Sequence, residues 1–84
     1  MNAVTVRYFA AAAEAAGLAQ ETVDLAAEAT LAQLLDELVI RHGDRLEQVL
    51  KRSSLLVDEV VARNRDSLTP AGATIDVLPP FAGG

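Results

Sequence analysis

Cysteine is absent from the 84 residues, which excludes disulfides, a thiol nucleophile and most zinc sites together. The fold has to hold by packing alone. Basic residues are few, seven against twelve acidic, for a formal net charge of -5 and a pI near 4.6. The extended basic face that a phosphate backbone requires is therefore not available, and nucleic acid is not an expected partner. No apolar run is long enough to span a membrane. FAAAAEAAGLA has the small residues of a signal peptide, but no basic segment precedes it and Glu14 lies inside it. A soluble, cytoplasmic domain is expected. No phosphate-binding glycine loop, metal-ligand spacing or nucleophile-base set is present, so neither a bound metal nor a resident cofactor is expected.

Apolar residues, by contrast, make up 51% of the chain, enough for one core in a chain too short for two. AVTVRYF puts Val4, Val6 and Tyr8 on one face of a strand. The alanine-dominated stretch that follows has high helix propensity and can stop at Gly17 in a left-handed conformation. In ETVDLAA, Val23 and Leu25 stand at strand spacing, which suggests a hairpin-like antiparallel partner for the first strand.

The clearest element is TLAQLLDELVIRHG. Thr30 can cap a helix, Gln33 stands where a capping box needs it, and Leu31, Leu34, Leu35 and Leu38 make one apolar stripe. Arg41 and His42 then suit the negative end of the helix dipole, and Gly43 is the expected stop. A shorter helix in DRLEQVLKR would turn Leu46, Val49 and Leu50 inward. SLLV and VVA read as two short strands around Asp58-Glu59, a turn without the usual glycine. NRDSLTPAG is a loop by composition, and ATIDVLP a final strand with Ile75 and Val77 on one face. The pattern is α+β, a mostly antiparallel sheet wrapping one side of a helix.

Few residues suggest chemistry. His42 is the single histidine, and a helix-terminal cation is its plainer reading. Asp58 and Glu59 read as a solvated turn, because adjacent residues there point apart and lack a partner for acid-base work. Asp36, Glu37, Asp44 and Glu47 fall on polar helix faces. The ending VLPPFAGG is different. Pro79-Pro80 ends the last strand by removing two ladder donors, leaving residues 1–80 as one domain and 81–84 as a flexible tail. A frayed end is one reading of that tail. The other is a narrow thread: with no Cβ at Gly83 or Gly84, a terminal carboxylate can enter a tight channel and reach an activating group.

VTVRYFA, TLAQLLDELVIRHG, LLVDEVVA and above all LPPFAGG together resemble the small subunit of molybdopterin synthase, the MoaD-like group of ubiquitin-related sulfur carriers. The resemblance covers nearly the whole chain, and its specific part is the Pro-Pro-x-x-Gly-Gly ending. It implies a β-grasp fold. It also implies that a MoeB-like, E1-like enzyme using ATP and magnesium adenylates the carboxylate of Gly84, and that a sulfur donor protein then converts it to a thiocarboxylate. The tail, Pro79, Pro80, Phe81, Ala82 and Gly83, would occupy partner channels. The MoaE-like large subunit would supply the catalytic residues for sulfur transfer to cyclic pyranopterin monophosphate, none being expected in this chain. A carrier for thiamine, cysteine or tRNA thiolation, or a ubiquitin-like modifier joined to lysines, would share the tail.

Overall fold

A computed structural model describes residues 2–80. The elements run β1 (Asn2–Tyr8), α1 (Ala11–Ala16), β2 (Gln20–Leu25), α2 (Leu31–His42), α3 (Asp44–Leu50), β3 (Ser54–Val57), β4 (Val60–Val61) and β5 (Thr74–Leu78). The strands form one sheet in the order β2-β1-β5-β3-β4. Three of the pairings are antiparallel, and the central one, β1 with β5, is parallel and sets Thr5 beside Thr74 and Tyr8 beside Val77.

Strand alternation decides which face is covered. Val4, Val6 and Tyr8 of β1, Val23 and Leu25 of β2, Leu55 of β3 and Ile75 and Val77 of β5 all point to the helix side and are buried. The leucine stripe of α2 meets them there, joined by Leu46 and Leu50 of α3 and Ala12 of α1. Val49 is half-buried at the edge of this cluster.

The start of α2 shows how local sequence fixes an element. The Thr30 hydroxyl accepts from Gln33 N at 3.2 Å, and Gln33 Oε1 accepts from Thr30 N at 2.8 Å, a closed capping box. The two preceding helical N–H groups are met from the 62–73 loop: Leu31 N donates to Ser67 O and Ala32 N to Arg65 O. The Arg65 guanidinium in turn donates to the carbonyls of Leu50 and Ser53. The loop is thus bound to the helix start by backbone hydrogen bonds that side-chain patterns do not encode. At the other end Gly43, φ 91°, stops α2 and starts α3.

The Asp58-Glu59 hairpin adopts positive φ at both positions, 48° and 71°, the handedness that a two-residue connection between twisted strands requires. Its cost is offset locally, because Asp58 Oδ1 accepts from Thr74 N at 2.9 Å while Asp58 N donates to Thr74 O at 2.8 Å. The turn is exposed, as a solvated turn should be, and these hydrogen bonds tie it to the start of β5.

Candidate functional site

The candidate site is built outward from β5. This strand lies in the middle of the sheet, paired on one side with β1 and on the other with β3, so its exit direction is fixed by two ladders. It ends at Leu78, and Pro79 and Pro80 follow outside any strand, as their missing donors dictate. Pro79 is buried and Pro80 exposed. The double proline is therefore the transition from core to solvent. Of the residues singled out in the sequence, Pro79 and Pro80 are placed in this way, while Phe81, Ala82, Gly83 and Gly84 lie outside the described residues.

Around the exit the chain forms an open groove of about 370 Å³, lined by Ala11, Gln48, Val49, Arg52, Pro79 and Pro80. Its walls come from α1, from α3 and its C-terminal end, and from the residues after β5. No sequence motif announces it, because its parts are brought together only by the packing of α1 against α3 beside the sheet.

Two polar constellations flank the exit strand. On the open face of the sheet, Arg7 of β1 and Asp76 of β5 form a two-pronged ion pair, Nε to Oδ1 at 2.6 Å and the second prong to Oδ2 at 2.7 Å. Asp76 is only 4% exposed, and the pair locks the parallel β1–β5 register at the strand that carries the tail. Its carboxylate holds the Arg7 guanidinium above its ordinary value, by hydrogen bonding first and charge second. The same guanidinium sits 5.8 Å from the centre of the Phe9 ring, a cation–π contact.

The second constellation centres on Glu21 at the start of β2. Its Oε2 accepts from the Tyr8 hydroxyl and from His42 Nε2, each at 2.5 Å, and its Oε1 accepts from Arg41 at 3.1 Å. Tyr8 and His42 also meet edge to face, with ring centres 6.0 Å apart. His42 keeps its expected place in the last turn of α2, but its side chain is partnered and mostly buried. The helix-terminal reading thus describes its position and misses its role, which is to join α2 to β2 and β1. Burial alone would raise the Glu21 carboxyl; the hydrogen bonds from Tyr8, His42 and Arg41 outweigh it and hold the group below its ordinary value of 4.5. The same burial, with Glu21 as acceptor, pushes the Tyr8 hydroxyl up out of the physiological range.

The sign of the resulting acid response follows from linkage. A carboxyl depressed in the folded state contributes stability above its unfolded value, and that contribution is lost as pH falls through the folded value. Glu21 therefore stabilises at neutral pH and begins to lose its effect as pH drops below about 4.5. Glu21→Gln is expected to cost about 1 to 3 kcal/mol at pH 7, since it leaves buried donors short of an anionic acceptor. It should also flatten the acid limb of stability against pH. Urea denaturation between pH 3 and 7 checks both.

Among the described residues no group of three or more His, Asp or Glu is placed to hold a metal ion. None of their helices is long and apolar enough to cross a membrane. The cluster at Glu21 is a structural tie, and the Arg7–Asp76 pair fixes a register. What the geometry does offer is a central strand, β5, that ends at Leu78 and leaves the sheet through Pro79 and Pro80.

A family model described as the ThiS family matches residues 6–84. The chain belongs to the ThiS family. The match extends over the tail as well as the globular part, and the ThiS-family chain has close structural counterparts. SAMP1 from Haloferax volcanii is 30% identical, with a TM-score of 0.86 over 98% of this chain and 99% of that one. A putative molybdopterin converting factor subunit 1 from Pyrococcus furiosus is 23% identical, with a TM-score of 0.81 over 96% and 100%. Subunits 1 and 2 of the molybdopterin-converting factor from Helicobacter pylori have been seen as a complex, and the matching chain is 20% identical at a TM-score of 0.67 over 98% and 99%. No curated protein matches the sequence. The ThiS-family chain thus has the ubiquitin-like β-grasp of the MoaD-like sulfur carriers, as its sequence led one to expect.

Proposed function

We propose that this ThiS-family protein carries sulfur on the C-terminal carboxylate of Gly84 and acts as the small subunit of a molybdopterin synthase. The observation that carries the reading is the exit of the central strand through Pro79-Pro80 into Phe-Ala-Gly-Gly, within a family match that runs to residue 84.

A carboxylate is a poor electrophile until a leaving group is attached. An E1-like enzyme with ATP and magnesium supplies one, the Gly84 carboxylate attacking the α-phosphate and expelling pyrophosphate. The terminal sulfur of a persulfide then displaces AMP from the acyl carbon, and a thiol cleaves the S–S bond to leave the thiocarboxylate. Because sulfur travels on the chain end, the absence of cysteine is no handicap. The acceptor is cyclic pyranopterin monophosphate, bound on a large subunit that supplies the catalytic residues. The Helicobacter pylori complex of subunits 1 and 2 supports a large subunit as partner.

Gly83 gives a test of the channel. Without a Cβ the chain passes where a branched side chain does not, so Gly83→Val should slow sulfur loading by at least about tenfold, or 1.4 kcal/mol in the barrier. Its melting temperature should be that of the parent. An unchanged loading rate would remove the narrow channel from the account.

A second reading is favoured by the likeness to SAMP1, another structure of which is described as a small archaeal modifier protein: attachment of Gly84 to lysines of other proteins. The two part at the acceptor. The loaded chain, mixed with the large subunit and cyclic pyranopterin monophosphate, is expected to yield the dithiolene product and return Gly84 as a carboxylate. Isopeptide-linked adducts in cell extract without such turnover would favour the modifier.

A further inference from the structure

We propose that the groove at the base of the tail is a docking site for the tail itself: Phe81 seats on Val49 and Ala11, and the Gly84 carboxylate pairs with Arg52, so that the free carrier holds its chain end against its own surface. The proposal rests on the reading of Gly84 as the reacting terminus and adds a control on its availability.

Position, reach and charge each contribute to it. The groove begins where the described chain ends, since Pro80 is part of its wall. Four residues remain beyond Pro80, and four extended residues reach at most about 14 Å. Pro80, where the described chain ends, and Arg52 line the same groove of about 370 Å³. Its lining is mostly apolar, with Ala11, Val49, Pro79 and Pro80 beside the aliphatic stem of Gln48, and Val49 is half-buried, so its outer side is open to a ring. Phe81 is the first residue beyond Pro80 and carries the one aromatic ring of the last four residues, the kind of side chain that fills an apolar hollow.

The single formal charge on the groove is positive. Arg52 is exposed, and among the described residues no carboxylate lies within ion-pair distance of it. Neither acid of α3, Asp44 or Glu47, is among the residues lining this groove, and Glu47 lines a different hollow, with Leu35, Asp36 and Lys51. In a chain of net charge -5, a lone guanidinium beside the exit of an anionic terminus is the complementary arrangement, and the neutral Gln48 beside it adds a donor.

Docking of this kind is weak and reversible, because a few surface contacts compete with the entropy of four residues. Its effect is on population. If the docked form outnumbers the released form by about three to one, the activating enzyme sees an affinity lowered about fourfold, and loss of the docking contacts restores it.

Nuclear magnetic resonance on the full-length free protein tests it. The expected result is cross-relaxation between the Phe81 ring and the Val49 methyl groups at every dilution, together with a Gly84 carboxylate that titrates lower than in Arg52→Gln. In Arg52→Glu the ring contact should weaken, and in Phe81→Ala the Val49 methyl resonances should move while the rest of the spectrum is retained. Random-coil shifts for residues 81–84 with no ring contact to Val49 would overturn the proposal. So would a contact that fades on dilution, which would place the tail in a second copy's groove. Pyrophosphate release with the activating enzyme is measured alongside. Normal release from a chain with no docked tail refutes the docking alone, whereas a docked tail with no release refutes the sulfur-carrier reading alone.

Discussion

Deletion of Gly84 is expected to abolish sulfur loading while leaving the melting temperature of the domain unchanged. The two halves of this result have separate causes. Among the described residues the buried apolar core runs from Val4 to Val77, and truncation at residue 83 removes none of these side chains. The chemistry, however, requires a carboxylate delivered to the α-phosphate at the full reach of the tail, and a chain one residue short presents it about 3.5 Å too early. A displacement of that size removes the advantage of a held reactant, which in well-oriented systems accounts for roughly 7 to 11 kcal/mol of the barrier. Loading should therefore fall below detection. A truncated protein that still accepts sulfur would show that the acyl group lies elsewhere.

The second large effect is on stability. Leu34 is completely buried, on the stripe of α2 that faces the sheet. Leu34→Ala removes its packed methyl groups and leaves a cavity that the sheet on one side and α3 on the other cannot fill, and the cost is expected at about 2 to 5 kcal/mol. For a domain of this size total stability is about 5 to 15 kcal/mol, so the melting temperature should drop by roughly ten degrees or more. Leu68, 61% exposed in the loop, is the internal comparison, and Leu68→Ala should move the same transition by less than about 0.5 kcal/mol. Equal effects of the two substitutions would mean that the stripe is not the core.

How far the structure could be read from the chain differs by element, and for physical reasons. The α2 helix was fully legible because its signals are local: Thr30 and Gln33 lie three residues apart, the leucine stripe repeats at helical spacing, and Gly43 closes it. The strands β1, β2 and β5 were legible from alternation, although β1 ends at Tyr8 and Phe9 keeps only a 3.3 Å backbone bond from its N–H to Val77 O. The end of β5 at the double proline was legible for the same reason, a missing donor being a property of one residue.

What escaped depends on long-range packing. Asp76 pairs with Arg7 across 69 positions, and from sequence it is only a polar residue in a strand. Glu21 shows the same limit, since its partners Tyr8, Arg41 and His42 come from two other elements. The one available hint was an unusually placed histidine, and its position at a helix end already had a sufficient explanation. The Asp58-Glu59 turn carried a misleading signal, lacking glycine yet adopting the left-handed geometry because β5 supplies the hydrogen bonds that hold it. The tail groove escaped for the same reason, as Ala11, Val49, Arg52 and Pro80 share no pattern in the chain.

The account depends most directly on where sulfur is attached. The purified chain is incubated with its activating enzyme, ATP, magnesium and a persulfide donor, and its intact mass and C-terminal peptide are then measured. The account predicts the exchange of one oxygen for one sulfur, confined to the peptide ending in Gly84 and dependent on ATP. An unchanged mass, or sulfur found on any other residue, would contradict it.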